Sequence, residues 1–167
     1  FNTIANEYPE LGGTFEVVHH TQLLNRLVRE GALKPVAPAD LAQGRKVTFH
    51  DPCYLGRHNQ VYEPPRELLG ADAGLEVIEM PRSHDTAMCC GAGGARAWME
   101  EDRGTRISQA RVDEAAGTGA EVIATGCPFC SQMLGSTPVP SDSEKQIEIQ
   151  DVAVLMLDAV NREGETR

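Results

Sequence analysis

Short runs of alternating apolar and polar positions recur along this chain, separated by stretches whose apolar residues fall three and four apart. Lys46 to His50 (KVTFH), Leu75 to Met80 (LEVIEM) and Glu121 to Thr125 (EVIAT) read as strands, stopped in turn by Pro52, Pro81 and Gly126. From Glu16 to Val28 the pattern predicts a short strand, a helix cap at Thr21, and Leu23, Leu24, Leu27 and Val28 on one helix face. Residues 147 to 160 repeat that plan, with strand IEI, Asp151 as cap and Val154, Leu155 and Leu157 on the helix. A long helix is predicted from Ala95 to about Ala116, carried by Ala97, Trp98, Ile107, Ala110, Val112 and Ala115 and closed by Gly117 and Gly119. Gly135 to Lys145 is rich in Pro and Ser and reads as a loop, and Arg162 to Arg167 as a frayed tail. Alternating strands and helices predict an α/β fold, a mainly parallel sheet flanked by helices.

The two strand–helix units are related by a shift. Thr21 and Asp151 stand 130 positions apart, and the same shift carries Phe1 onto Ser131, the residue after Cys130. The expected organisation is therefore residues 1–30 as the C-terminal remnant of a preceding repeat, packed against residues 31–167, which form a second copy. Apolar surface around Phe1 to Tyr8 is then expected to lie open to a companion repeat or to a second copy of the chain.

Composition narrows the partners. At 167 residues and 41% hydrophobic the chain can bury one ordinary core. A formal net charge of −10 argues against nucleic acid, whose phosphates call for a basic face. No apolar run approaches a membrane span, so any membrane association is expected from segments outside this chain.

The chemistry lies in the cysteines. Cys53 is followed after 35 residues by Cys89-Cys90-Gly91, and after another 35 by Cys127-Pro128-Phe129-Cys130, with no cysteine outside the pattern. An odd number cannot all pair within one chain. Soft thiolates from three distant segments suit zinc or an iron–sulfur cluster; four complete either site and the fifth is surplus to both. Cys53 and Cys127 follow predicted strands, and ligands of open α/β sheets bind at that edge. Gly91, Gly93 and Gly94 let the backbone approach a bulky group, with amides free to donate to it. The long helix is expected to begin there and to favour negative charge at its N-terminus. A structural zinc module is one alternative. A thiol–disulfide oxidoreductase built on the CPFC sequence is another, although it leaves three cysteines idle. Unpaired thiols fit a reducing compartment, so the cytoplasm is expected.

HDPCYLGRHNQVYEPPRELL, CCGAGGARAWMEE and EVIATGCPFCSQML resemble the cysteine-rich CCG domain of the B and D components of heterodisulfide reductases and of related bacterial iron–sulfur oxidoreductases. Those relatives include iron–sulfur subunits linked to lactate, glycolate and glycerol-3-phosphate oxidation. The resemblance spans Lys46 to Leu134 and implies a Rossmann-like domain, usually in tandem, of which this would be the C-terminal copy. It implies Cys53, Cys89, Cys90, Cys127 and Cys130 as ligands of a [4Fe-4S] cluster, noncubane in form and lost in air. It implies electron transfer, and disulfide reduction in some members, with Cys89 and Cys90 nearest the reaction. Implied partners are the companion CCG domain, other redox subunits and a small-molecule or quinone-linked electron partner, the parent protein meeting the membrane on its cytoplasmic face.

The remaining candidates are read more plainly. His19, His20 and His50 are expected to be satisfied histidines at strand ends. His58 and His84, near cysteines, are placed between solvated loop residues and groups that tune a cluster or shuttle a proton. Arg57 and Arg82 are placed between surface ion pairs and partners of an anion. Trp98 with Met99, and Tyr54 with Tyr62, are expected to be packing residues.

Overall fold

The computed structural model describes residues 1–38, 44–101, 103–138 and 147–162. Four strands, β1 (Arg45–His50), β2 (Leu75–Val77), β3 (Val122–Thr125) and β4 (Glu148–Asp151), form one parallel sheet in the order β2-β1-β3-β4. The helices are α1 (Asn2–Asn6), α2 (His20–Arg29), α3 (Glu63–Gly70), α4 (Ile107–Ala116), α5 (Pro128–Gly135) and α6 (Val152–Asn161). The α/β expectation holds.

Strand periodicity divides the interior in two. Successive strand residues face opposite sides of a sheet. Val47 and Phe49 of β1, with Val122 and Ala124 of β3, pack with Leu68 and Leu69 of α3 and with Leu155, Met156 and Ala159 of α6. Leu24 and Val28 of α2 join this side. Ile123 of β3 instead packs with Val112 and Ala115 of α4, Leu134 of α5, and Cys90 and Cys130. The cysteines therefore belong to one of the two cores.

Several expectations are corrected. Residues 13–19 form no strand, and α2 starts at His20, so the cap is His19 rather than Thr21. His19 Nδ1 accepts from the Thr21 amide at 3.3 Å, and Gln22 Oε1 accepts from the His19 amide at 2.9 Å. At the other unit the expected cap is observed, Asp151 Oδ1 accepting from the Ala153 amide at 2.8 Å. The strand from Leu75 ends at Val77, although Ile78 still donates to the Val47 carbonyl at 2.8 Å.

The long helix from Ala95 does not form. A single 3₁₀ turn at Arg96–Trp98 is followed by irregular chain over residues 99–101 and 103–106, and α4 begins at Ile107. Left-handed backbone at Gly94, Ala95 and Gly104, with φ of 64°, 62° and 69°, interrupts a helix at both ends of that stretch. Trp98 is consequently 83% exposed and Met99 58%, surface residues rather than core. Tyr54 is likewise exposed, while Tyr62 packs against Gly56.

Arg162 is no frayed residue. Its Nη1 and Nη2 donate to the buried Asp72 carboxylate at 2.5 and 3.0 Å, and Nη1 also to the Val36 carbonyl at 2.9 Å. Residues 163–167 of the expected tail, and 139–145 of the expected loop, lie outside the described residues. Gly135, expected to start that loop, closes α5.

Candidate metal centre

All five cysteines lie at the C-terminal edge of the sheet, as free thiols. Cys53 lies in the turn after β1, Cys89 and Cys90 in the segment between β2 and α4, Cys127 directly caps α5, and Cys130 lies in its first turn. A cleft of about 250 Å³ is lined by Cys53, Cys90, Cys127 and Cys130, with Gly93, Trp98 and Phe129 on its wall. Cys89 borders the same region from a small neighbouring recess that it shares with Cys53 and Arg57. Cys90 and Cys130 are buried, whereas Cys53, Cys89 and Cys127 remain partly open.

The thiols interact as a chain, Cys127 to Cys130 to Cys90 to Cys89. Hydrogen bonds from Cys130 and Cys89, together with His50 and the Ala92 amide, hold the Cys90 thiol far below its ordinary range. The donors shift the opposite way: Cys130 is raised by Cys127 and Cys90 and by burial, and Cys89 by Cys90 and burial. Cys127 is lowered to about 6, first by Cys130 and then by the amides of Cys130 and Phe129 at the start of α5. Negative charge is thus favoured at Cys90 and Cys127, while Cys89 and Cys130 hold their protons as donors.

Backbone amides act on Cys89 in the opposite, lowering direction. The Gly91 amide donates to Cys89 Sγ at 3.3 Å, and the Gly93 amide acts on the same thiol. Gly91 has φ +95°, and a Cβ there would meet Met133 Cε and the Ser108 nitrogen at 3.4 Å. The first turn of α4 therefore abuts Gly91 although the helix starts far later than expected. Gly94, with φ +64°, shapes the turn and has open space around it.

The surrounding ion pairs fix the loops. Asp51, two residues before Cys53, is held by Arg66 and accepts from the His84 amide at 2.9 Å. Arg57 donates to the Ala87 carbonyl at 2.7 Å, and Arg82 pairs with Glu114 at 3.2 Å. His58 stacks on Tyr54, ring centroids 4.8 Å apart, and His84 on Tyr62 at 5.5 Å. His19 reaches the edge of the site, its Nε2 lying 3.1 Å from the Gly126 carbonyl just before Cys127. His20 pairs with Asp151 at 3.4 Å.

His50 is buried as expected, but it is not a bystander. It lies in β1 on the α4–α5 side of the sheet, 1% exposed, and a ring nitrogen, Cys90 Sγ and Cys130 Sγ all fall within 4.8 Å of one another. Burial pushes its pKa down, offset in part by Cys90. Arg111, fully buried in α4, donates from Nε to His50 Nδ1 at 3.1 Å. Sequence reasoning missed Arg111; a single Arg amid the apolar positions of a predicted helix was its only trace.

The fold and this edge together define a cysteine-rich α/β domain that gathers thiols from three loops into one polarised cleft. Residues 47–135 match the family model described as CCG, cysteine-rich domain, and the chain belongs to that family. It is similar to the "Probable iron-sulfur-binding oxidoreductase FadF" of Bacillus subtilis, 46% identical over 96% of this chain and 22% of that protein. It is 41% identical to the "EtfAB:quinone oxidoreductase" of Syntrophomonas wolfei, over 96% of this chain and 23% of the relative. It is also similar to one subunit of the dihydromethanophenazine:CoB--CoM heterodisulfide reductase of Methanosarcina acetivorans, 38% identical over 96% of this chain and 38% of the relative. The chain thus spans well under half the length of each. Among the described residues no helix is long and apolar enough to cross a membrane.

Proposed function

We propose that this chain is the cluster-binding domain of a larger iron–sulfur oxidoreductase, with Cys53, Cys89, Cys90, Cys127 and Cys130 as ligands of a noncubane [4Fe-4S] cluster. The observation that carries the reading is the gathering of five free thiols at one sheet edge, four lining a single cleft and Cys89 in the recess beside it. The donor set fits such a group: all five atoms are soft sulfur, amides already act on Cys89, Cys90 and Cys127, and the buried Nε2 of His50 has no nitrogen or oxygen partner. A buried donor with only sulfur beside it fits an anion there.

When bound, such a cluster accepts and releases single electrons. The chain supplies the thiolates and lowers the charge cost through the Gly91, Ala92 and Gly93 amides. Burial of Cys90 and Cys130 keeps water from the inner side, and the more open Cys53, Cys89 and Cys127 form the face towards partners. A disulfide substrate would approach beside the Cys89–Cys90 loop. Its reduction to two thiols consumes two electrons and two protons, the electrons arriving from companion redox subunits or a quinone-linked carrier.

The same reading makes residues 1–30 the end of a preceding CCG repeat. Tyr8, Leu11 and Phe15 are 43%, 86% and 65% exposed, in keeping with a surface that a companion repeat or a second copy covers. Free thiols are in keeping with a reducing compartment, which supports the cytoplasm as the protein's setting in this reading. The test is iron, acid-labile sulfide and zinc content after anaerobic purification. About four irons per chain, lost in Cys89→Ser or Cys90→Ser, are expected. One zinc without sulfide would overturn the reading in favour of a structural module.

A further inference from the structure

The ring of His50 lies between an obligate donor and a pair of sulfurs, and proton counting decides what it can do. Arg111 Nε donates to His50 Nδ1 at 3.1 Å. A guanidinium stays protonated and offers no acceptor, so Nδ1 must be the nitrogen with the lone pair. A neutral imidazole has one accepting and one donating nitrogen, so the ring proton is on Nε2. Nε2 has no nitrogen or oxygen partner, and what remains near the ring is sulfur: the ring interacts with the Cys90 thiol, and Cys90 Sγ and Cys130 Sγ lie with a ring nitrogen inside 4.8 Å.

Those three side chains have the spacing of a small metal site. The tautomer forbids it. With Nδ1 engaged by the guanidinium and Nε2 protonated, no lone pair is left to face a metal. Ligation through Nε2 would require removal of the last ring proton. Arg111 itself is not free to swing aside, because Nη1 donates to Glu114 Oε2 at 2.9 Å and to the Arg82 carbonyl at 2.8 Å.

We infer that His50 is a hydrogen-bond donor to the sulfurs at Cys90, locked in that tautomer by Arg111, and that it raises the reduction potential of the cluster without ligating it. This rests on the cluster reading above. Reduction adds negative charge to the sulfurs, so a fixed N–H aimed at them stabilises the reduced form more than the oxidised one. His50 and Arg111 are positioning residues, and the polar chain Cys90–His50–Arg111–Glu114 ties the cleft to the ion pair with Arg82.

Two measurements test this. Nitrogen-15 NMR of the metal-free chain reads the tautomer directly, and a protonated Nε2 with an unprotonated Nδ1 at His50 is expected; the reverse overturns the inference. Redox titration of the iron-loaded chain then compares wild type with His50→Met, which removes the donor, and His50→Gln, whose amide can both accept from Arg111 and donate to Cys90. His50→Met should keep its iron and be on the order of tenfold harder to reduce, about 59 mV for a one-electron couple. His50→Gln should restore the wild-type potential. Loss of iron in His50→Met but not His50→Gln, or equal potentials in all three, overturns the role while leaving the cluster in place. Should His50→Met not fold, the wild-type tautomer still decides. A wild-type chain that takes up no iron overturns the cluster reading and this role together.

Discussion

Arg66 grips Asp51 with both terminal nitrogens, Nη1 to Oδ1 at 2.8 Å and Nη2 to Oδ2 at 2.9 Å. The Asp51 side chain is only 2% exposed, and Arg66 also pairs with Glu79 and lies over the Phe49 ring. Removing one member of a buried pair leaves the other charge uncompensated, at a cost of about 3 kcal/mol. Arg66→Met should therefore destabilise the reduced, metal-free chain by that amount, read from the shift of its urea midpoint. An unchanged midpoint would mean that Asp51 finds another partner.

Gly91 occupies left-handed backbone beside Met133 and the start of α4. Gly91→Ala should cost about 1–2 kcal/mol from the backbone alone. It should also disturb the amide that donates to Cys89. Thermal melting reports the first effect and iron uptake the second; both should fall together.

Acid should weaken the seat of α2. Burial, and then repulsion from His20, push the His19 pKa down to about 4 from an ordinary 6.5. The unfolded chain takes up a proton at the ordinary value, and the folded chain only at the lower one. Stability from this residue is therefore complete above about pH 6.5 and drains away as the pH falls towards 4. Asn is also a good N-cap, so His19→Asn should flatten the dependence of melting temperature on pH across that window.

The ion pair between Arg162 and Asp72 closes the C-terminal helix onto the α3–β2 turn. Asp72 is 1% exposed, and the Gly74 amide is its other donor, at 2.9 Å. Arg162→Ala should destabilise the chain by about 2 kcal/mol, measured by denaturant unfolding. Arg29→Ala, which breaks only the looser and more exposed contact with Glu67, should change it by less than about 1 kcal/mol.

Trp98 is the only tryptophan, and it stands exposed on the wall of the cysteine cleft. The metal-free chain should emit as a solvated indole and be quenched freely by iodide. Anaerobic loading with iron and sulfide should suppress that emission in proportion to iron bound. Emission that is insensitive to loading would separate the metal from this cleft.

The sequence signals that proved legible are those in which one physical demand acts alone. Val47, Phe49, Val122 and Ala124 are apolar because both faces of a parallel sheet are covered, and the strand reading survives intact there. Of the glycines after Cys90, Gly91 stands where the backbone approaches closely, and the Gly91 and Gly93 amides act on the Cys89 thiol. Reading failed where two demands shared one residue type. Ala97 and Trp98 carry helical spacing, yet they line an open cleft, and positive φ at Gly94 and Ala95 overrides the periodicity. Helix α3 is hard to see because Pro64 and Pro65 look like breakers, although proline is well suited to a first helical turn. His50 and Arg111 are 61 positions apart, and no local pattern announces a bond between them.

The strand order also bears on how the chain reaches this state. β1 lies between β2 and β3, with Val47 set against Val77 on one side and Val122 on the other. Among the described residues no strand pair can close as a hairpin, so each of these ladders waits on a long loop, and pairing of this kind is slow. Until the ladders close, the five free thiols have no fold to hold them apart, and thiol–disulfide exchange can cross-link them wrongly. Refolding yield should accordingly be governed by the redox buffer more than by temperature or concentration, and the order of events, sheet first and thiols afterwards, becomes a kinetic requirement on any pathway that delivers the cleft intact.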